Sequence, residues 1–304
     1  MIFKKSFKLG PLSTFKIGGR ADYFCRVWNE EELKKAISWA KQKKISHRIF
    51  AGGSNIVFRD KKVKGLIVQI KGGHIRTNKR TRKMVVDAGV PLSEVIKKSI
   101  KAGLSGLETL SGIPGTVGGA IVGNAGAYGH SVSEVVKKIE VFDGKKKRWF
   151  SKKDCRFAYR ESVLKHKPFV VLKVILKLRK GNRKGLMRIS QKIIKTRLKK
   201  YKPGLKCPGS FFKNVLVKDV SKSSLAKIDR LKIIGGKVPA GYLLEEVGAK
   251  GMRVGGVEIA KFHGNLFVNK GKAKAADVKK LASILKRKVK TRFGIKLEEE
   301  IRYF

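Results

Sequence analysis

Acid, cysteine and long apolar runs are what this chain has least of. Twenty-two Asp and Glu face seventy-three Lys and Arg, a formal net charge of +51. The three cysteines, Cys25, Cys155 and Cys207, are odd in number and form no C-x-x-C pair. That excludes a disulfide framework and a cysteine zinc site, and suits a reducing compartment. The five histidines, His47, His74, His130, His166 and His263, never fall at metal-ligand spacing. No run of eighteen apolar residues offers a transmembrane helix, and the basic N-terminus lacks the apolar core of a secretory signal. Stacking aromatics do not interleave the basic runs, and the charge is spread along the chain instead of gathered in a tail. A dedicated nucleic-acid partner is therefore not expected, and an anionic small substrate would profit from the same field.

What is present is a mixture of helix and strand signals in a chain of 304 residues, long enough for two domains. Asn29 reads as an N-cap with Glu32 completing a capping box, and Leu33, Ala36, Ile37 and Ala40 form the apolar stripe of a helix to Lys44. "HRIF", "GLIVQI", "MVVDAG" and "PFVVLKVILKL" read as strands, and "LSEVIKKSIKAG" as a helix closed by Gly103. Asp143-Gly144 marks a hairpin turn, and "GNRKG" (Gly181 to Gly185) a linker before a basic helix from Leu186 to Tyr201. A further helix is predicted over Ala275 to Arg292, with Gly294 as its stop. The closing "IKLEEEIRYF" reads as one strand, with Ile295, Leu297, Ile301 and Tyr303 on one face. Lys296, Glu298, Glu300 and Arg302 lie on the other. Without a steady β-α-β beat the class is α+β.

Two segments are built for close approach of backbone to a ligand: "AGGSN", Ala51 to Asn55, and "GLETLSGIPGTVGGAIVGNAGAYG", Gly106 to Gly129. Eight of the latter's twenty-four residues are glycine, and Glu108 is its only ionisable group apart from Tyr128. Glycine removes the Cβ that would hold a ligand away, and successive N–H groups in such turns bind anions. Gly112, Gly115 and Gly118 are spaced G-x-x-G-x-x-G, and no phosphate-loop G-x-x-x-x-G-K-[ST] occurs, so the familiar nucleotide fingerprints are absent. Tight turns packed under a sheet would explain the glycines equally well.

Those segments, with "STFKIGG", "FAYRES", "CPGSFFKN", "PAGYLLEEVGAKG" and "LEEEIR", stand in an order that closely resembles the UDP-N-acetylenolpyruvoylglucosamine reductase (MurB) family, in its shorter form, from Ser13 to Arg302. The resemblance implies a two-subdomain FAD-binding unit of the vanillyl-alcohol-oxidase (PCMH) type, residues 1–70 and 71–180, followed by an α+β substrate domain, 181–304. It implies a cytoplasmic monomer that holds FAD non-covalently, takes NADPH as co-substrate and acts on a sugar nucleotide. Gly52, Gly53, Ser54, Asn55, Gly112, Ile113, Pro114, Gly115, Thr116, Gly118, Gly119, Asn124, Ala125 and Gly126 would carry the FAD.

The same resemblance gives Arg160 to the enolpyruvyl carboxylate, a task that its planar, permanently charged fork suits. Ser210 would be the proton donor and Glu300 the acid, with Glu298 and Glu299 as rivals separated only by register. A bare carboxylate would repel the developing charge, so Glu300 must act as a hydrogen-bond donor. Tyr159 and Asn214 would contact the sugar nucleotide. Cys207 has no patterned base and reads as structural. Ala158, Val215, Tyr242 and Gly123 depart from the family's usual residues, and none of them removes a catalytic group. Another flavin oxidase of the same cofactor fold is the alternative, but "AGGSN" has no histidine to tether a flavin. A basic nucleic-acid-binding protein is the alternative of a different class.

Overall fold

The computed structural model describes residues 1–304, and its contacts divide the chain into two compact units. The first comprises 1–7, 21–52 and 64–199; the second comprises 8–20, 53–63 and 200–304.

The first unit is built on two sheets. One is ordered Lys4–Lys8, Arg20–Val27, Val63–Ile70 and His47–Phe50, the last two strands running parallel. The helix Glu30–Gln42 packs on it through Leu33, Ala36, Ile37 and Ala40, as its 3.6-residue spacing requires. Asn29 caps that helix by accepting from the Glu32 amide at 2.9 Å, but the Glu32 carboxylate reaches back one residue further than expected, to the Trp28 amide at 2.7 Å. The second sheet is antiparallel, ordered Lys147–Ser151, Val136–Phe142, Val170–Lys177, Lys83–Asp87 and Ile75–Asn78. Its hairpin turns at Asp143, whose carboxylate accepts from the amides of Lys145 and Lys146 at 2.9 and 2.8 Å. The helix Leu92–Lys101 and the short helix Val117–Val122 share one core with this sheet.

"GNRKG" is not a linker. Its Asn182 accepts from the Gly185 amide at 3.0 Å, and the helix has already begun at Arg183, running to Lys200. Local turn propensity loses here to packing: Leu186 enters the core and the Ser190 hydroxyl meets that of Ser111 at 2.7 Å.

The second unit gathers its core around the helix Ala275–Phe293. Phe15, Ile17 and Val57 join that core from the N-terminal segments, beside Phe211, Phe212, Phe267 and Leu297. Burying each such side chain stabilises by roughly 1.5–3 kcal/mol. The helix's first amides, Ala275 and Ala276, donate to the carboxylate of Asp60 at 2.6 and 2.9 Å, where negative charge offsets the helix dipole. Its stop at Gly294 is left-handed, φ 73°, as expected for a glycine C-cap.

The closing segment departs from the single strand read in the sequence. Only Arg302–Tyr303 pair as a strand, parallel to Ile56–Val57, and Glu299 makes an isolated bridge with Phe212. Burial still alternates at Ile295, Leu297 and Ile301. Glu299 breaks the pattern: it occupies a core-parity position and is accommodated by an ion pair with Lys286.

Candidate active site

In the first unit the two glycine segments meet. A Cβ on Gly52 would lie 2.8 Å from the Gly115 Cα and 3.3 Å from the Thr116 nitrogen, so the two backbones touch where neither has a side chain. Gly112 and Gly115 hold φ of 76° and 112°, where a side chain is strained. Thr116 then caps the helix Val117–Val122, its hydroxyl accepting from the Gly119 amide at 3.4 Å. Two amides of the segment are already committed: Val117 donates to Val90 at 2.9 Å and Gly118 to Ala88 at 2.8 Å. A Cβ on Gly118 would meet that of Ala88 at 2.8 Å, so this glycine serves close packing. Ile113, Pro114, Ala125 and Gly126 continue the same uncharged surface.

Tyr159 and Arg160 form the tip of a tight turn closed by reciprocal hydrogen bonds between Ala158 and Glu161, both 3.1 Å. The turn is sewn to the end of the glycine segment. Asn124 Nδ2 donates to the Ala158 carbonyl at 2.8 Å, Arg160 Nη2 donates to the Gly126 carbonyl at 2.6 Å, and the Ser162 hydroxyl donates to Val122 at 2.7 Å. Arg160 itself has φ 57° and Asn124 φ 42°. A long side chain in the left-handed region costs about 1 kcal/mol, and such strain persists where surrounding bonds over-determine it. The guanidinium lies 5.4 Å from the centre of the Tyr159 ring.

A cavity of about 190 Å³ also opens in this unit, lined among others by Trp28, Gly72, Ala88, Gly89, Val171 and Leu172. Nothing in the sequence singled it out, because its walls come from five separate segments. Ala88 is shared between this cavity and the packing of Gly118.

The second unit carries the rest of the "AGGSN" loop. Gly53 has φ 67°, and a Cβ there would lie 2.2 Å from the Leu12 carbonyl oxygen. Three successive carbonyls of the loop are spent on the protein. Gly53 accepts from the Thr14 amide at 3.2 Å, Ser54 from the Thr14 hydroxyl at 3.2 Å, and Asn55 from the Arg302 amide at 3.0 Å. A loop whose carbonyls face the protein has the polarity of an anion-binding nest.

Ser210 follows Gly209, φ 89°, and begins a short stretch held from both sides. The buried Asn265 clamps it: the Phe211 amide donates to the Asn265 carbonyl at 3.1 Å. The Asn265 side chain accepts from the Phe212 amide and donates to the Phe212 carbonyl, both at 2.8 Å. On the other side the Glu300 amide donates to the Phe211 carbonyl at 2.8 Å and the Lys213 amide to the Glu298 carbonyl at 2.9 Å. Ser210 and Glu300, far apart in the chain, are thus one hydrogen bond from adjacent backbones. The rivals of Glu300 are committed elsewhere, Glu298 to Lys213 at 2.5 Å and Glu299 to Lys286.

Tyr201 and Lys200 are functional candidates that the sequence did not flag. The Tyr201 hydroxyl lies 3.2 Å and the Lys200 ammonium 3.4 Å from the Ser210 hydroxyl. Asn214 accepts from the Ala240 amide at 3.2 Å, at the start of the helix Ala240–Glu246. The Cys207 thiol is buried, which pushes its pKa up and makes it a poor nucleophile. His263 is held neutral, its pKa pushed down to about 4 by burial first and by Lys200 second; its Nδ1 accepts from the Asn265 amide at 3.0 Å.

Comparison with known proteins decides what these sites belong to. Residues 21–147 match the FAD binding domain family, and 200–304 match the UDP-N-acetylenolpyruvoylglucosamine reductase, C-terminal domain. The reductase of Solibacter usitatus is 39% identical over 98% of this chain and 95% of its own length. That of Synechococcus sp. is 33% identical over 97% of this chain and 88% of its own. The chain belongs to the UDP-N-acetylenolpyruvoylglucosamine reductase family. The crystal structure of the reductase (MurB) from Thermus caldophilus matches it with a TM-score of 0.77 and 30% identity, over 100% of this chain and 99% of that one.

The expected α+β class, a two-subdomain FAD-binding unit with a C-terminal α+β domain, therefore stands, and the chain is a flavin-dependent oxidoreductase. The residues present fit FAD. Gly52 and Gly115 bring two side-chain-free backbones together, and no charged side chain occurs between Thr109 and Tyr128. No helix of this family member is long and apolar enough to cross a membrane.

Proposed function

We propose that the chain reduces UDP-N-acetylglucosamine enolpyruvate to UDP-N-acetylmuramate with NADPH, a step of peptidoglycan precursor synthesis, using Arg160, Ser210 and Glu300. The observation that carries this reading is the hydrogen bond from the Glu300 amide to the Phe211 carbonyl, which joins the acid to the serine's own segment.

When bound, FAD would supply the hydride chemistry, in which two electrons from NADPH pass as hydride to C3 of the enolpyruvyl double bond. Gly52, Gly53, Ser54 and the 112–119 segment would hold its pyrophosphate. Arg160 pairs with the substrate carboxylate through its fork, oriented by its bond to Gly126. As negative charge spreads from C2 onto that carboxylate, Arg160 neutralises it, and Glu300 donates a hydrogen bond to it. The Ser210 hydroxyl gives its proton to C2, completing the lactyl ether. A serine is a weak acid alone, and the Tyr201 hydroxyl and Lys200 ammonium at 3.2 and 3.4 Å are placed to restore that proton. Tyr159 and Asn214 contact the sugar nucleotide, and the excess of basic residues favours its diphosphate.

The test is an anaerobic absorption titration of the purified protein. Flavin that bleaches with NADPH and recolours with the enolpyruvyl sugar nucleotide is the expected result. Flavin that recolours only when oxygen is admitted assigns an oxidase instead. A protein that cannot take up FAD overturns both.

A further inference from the structure

The side chain of Asn55, at the end of the "AGGSN" loop, is turned towards the catalytic acid's own backbone. Asn55 Nδ2 donates to the Glu300 carbonyl at 2.9 Å. Only the amide nitrogen can face a carbonyl, so the orientation of this side chain is chemically determined. The Asn55 carbonyl accepts in turn from the Arg302 amide at 3.0 Å, and Ile56–Val57 continue as a parallel pair with Arg302–Tyr303. Glu300 is therefore gripped at both ends of its peptide units: its amide by Phe211, next to Ser210, and its carbonyl by Asn55. Regular strand pairing does not begin until Arg302, and before it the chain is held by the isolated Phe212–Glu299 bridge on one side and by the Asn55 side chain on the other.

We infer that Asn55 is a positioning residue for Glu300, tying the acid to the loop that cradles the cofactor, and not a side-chain ligand of the cofactor. The inference rests on the assignment of Glu300 proposed above. Its physical basis is that one hydrogen bond fixes the carbonyl of the residue whose side chain must reach the developing charge. A misplacement of about 1 Å there costs on the order of a hundredfold in rate. In the proposed function the loop would meet phosphate through backbone amides, which a change of the Asn55 side chain does not remove.

The experiment separates the two half-reactions in Asn55→Asp and Asn55→Ala. Asn55→Asp keeps the shape but sets a carboxylate oxygen against the Glu300 carbonyl; Asn55→Ala removes the donor alone. Both should still bind flavin, and its reduction by NADPH should be affected less than its reoxidation by substrate. Reoxidation by the enolpyruvyl sugar nucleotide should slow by roughly 10- to 100-fold, more in the Asp variant. Loss of flavin from both variants, or a parallel fall of both half-reactions, overturns the inference, as does unchanged reoxidation. Glu300→Gln, measured alongside, separates the failures. If it reoxidises at the parent rate, the assignment of Glu300 fails and the inference falls with it. If it is slow while both Asn55 variants are unchanged, the inference alone falls.

Discussion

The glycine cradle of the first unit and the serine–glutamate site of the second achieve precise backbone placement by opposite means. Around Gly52 and Gly115 the structure removes side chains so that two backbones can touch. Around Ser210 and Glu300 it adds them: Asn265 and Asn55 each spend a buried or half-buried amide on holding someone else's backbone. The first strategy is local and shows in composition. The second depends on residues that come together only when the chain folds. Arg160 combines both, a strained turn residue held by bonds to the glycine segment.

Substitutions that attack each strategy should separate them, and the largest effect is expected at Arg160. Arg160→Lys should lower kcat/KM by roughly 10²- to 10³-fold while the flavin spectrum is unchanged, because an ammonium cannot supply the bidentate fork; stopped-flow reoxidation checks it. In the cradle, Gly53→Val pits a branched side chain against the Leu12 carbonyl 2.2 Å away, at φ 67°. It should destabilise by about 3 kcal/mol or more and strip the flavin, read by urea unfolding and by FAD content after dialysis. In the clamp, Asn265→Ala leaves the Phe212 amide and carbonyl buried without partners. A loss of about 2–4 kcal/mol is expected. FAD affinity should be retained, so a variant that lost flavin without losing stability would erase the contrast.

Acid should act on the clamp and spare the cradle. The folded pKa of His263, about 4, lies below its ordinary value of 6.5, so the unfolded chain takes up this proton first. Its contribution to stability is complete above about pH 6.5 and is lost as pH falls towards about 4. Lys200, Glu245 and Lys250 are the charged groups that act on it. The melting temperature should therefore decline over that window, and His263→Gln should flatten the decline. An unchanged slope in the variant would assign the acid sensitivity elsewhere. The smallest effect is a matched pair: Arg160→Gly should be more stable than Arg160→Ala by about 1 kcal/mol, since only glycine adopts φ 57° without strain.

Much of the architecture could be read without coordinates. The helices Glu30–Gln42 and Ala275–Phe293 announced themselves by apolar spacing, a cap and a closing glycine. The misreadings share a cause. "GNRKG" carries turn residues, yet Leu186 and Ser190 draw it into a helix from Arg183. "LEEEIRYF" alternates like a strand, yet most of it pairs with no strand and is held by Asn55, Phe211 and Lys286. Asp60, which caps the helix at Ala275 from far upstream, left no local signal at all. In the site, glycine density exposed the cradle, because absent side chains are visible in composition. The cavity beside Ala88 and the neighbours of Ser210 were not visible, because their residues are ordinary types made important by proximity.

By itself the sequence determined the fold class, the side-chain-poor glycine segments and the ordered motifs that mark the family, since each is a property of neighbouring residues and their backbone freedom. Only the tertiary structure decided where the carboxylates of Glu298 and Glu299 go, what holds the Glu300 backbone, and which groups surround Ser210. Those choices are made by hydrogen bonds and ion pairs between distant segments, whose partners exist only once the core has brought them within about 3 Å of each other.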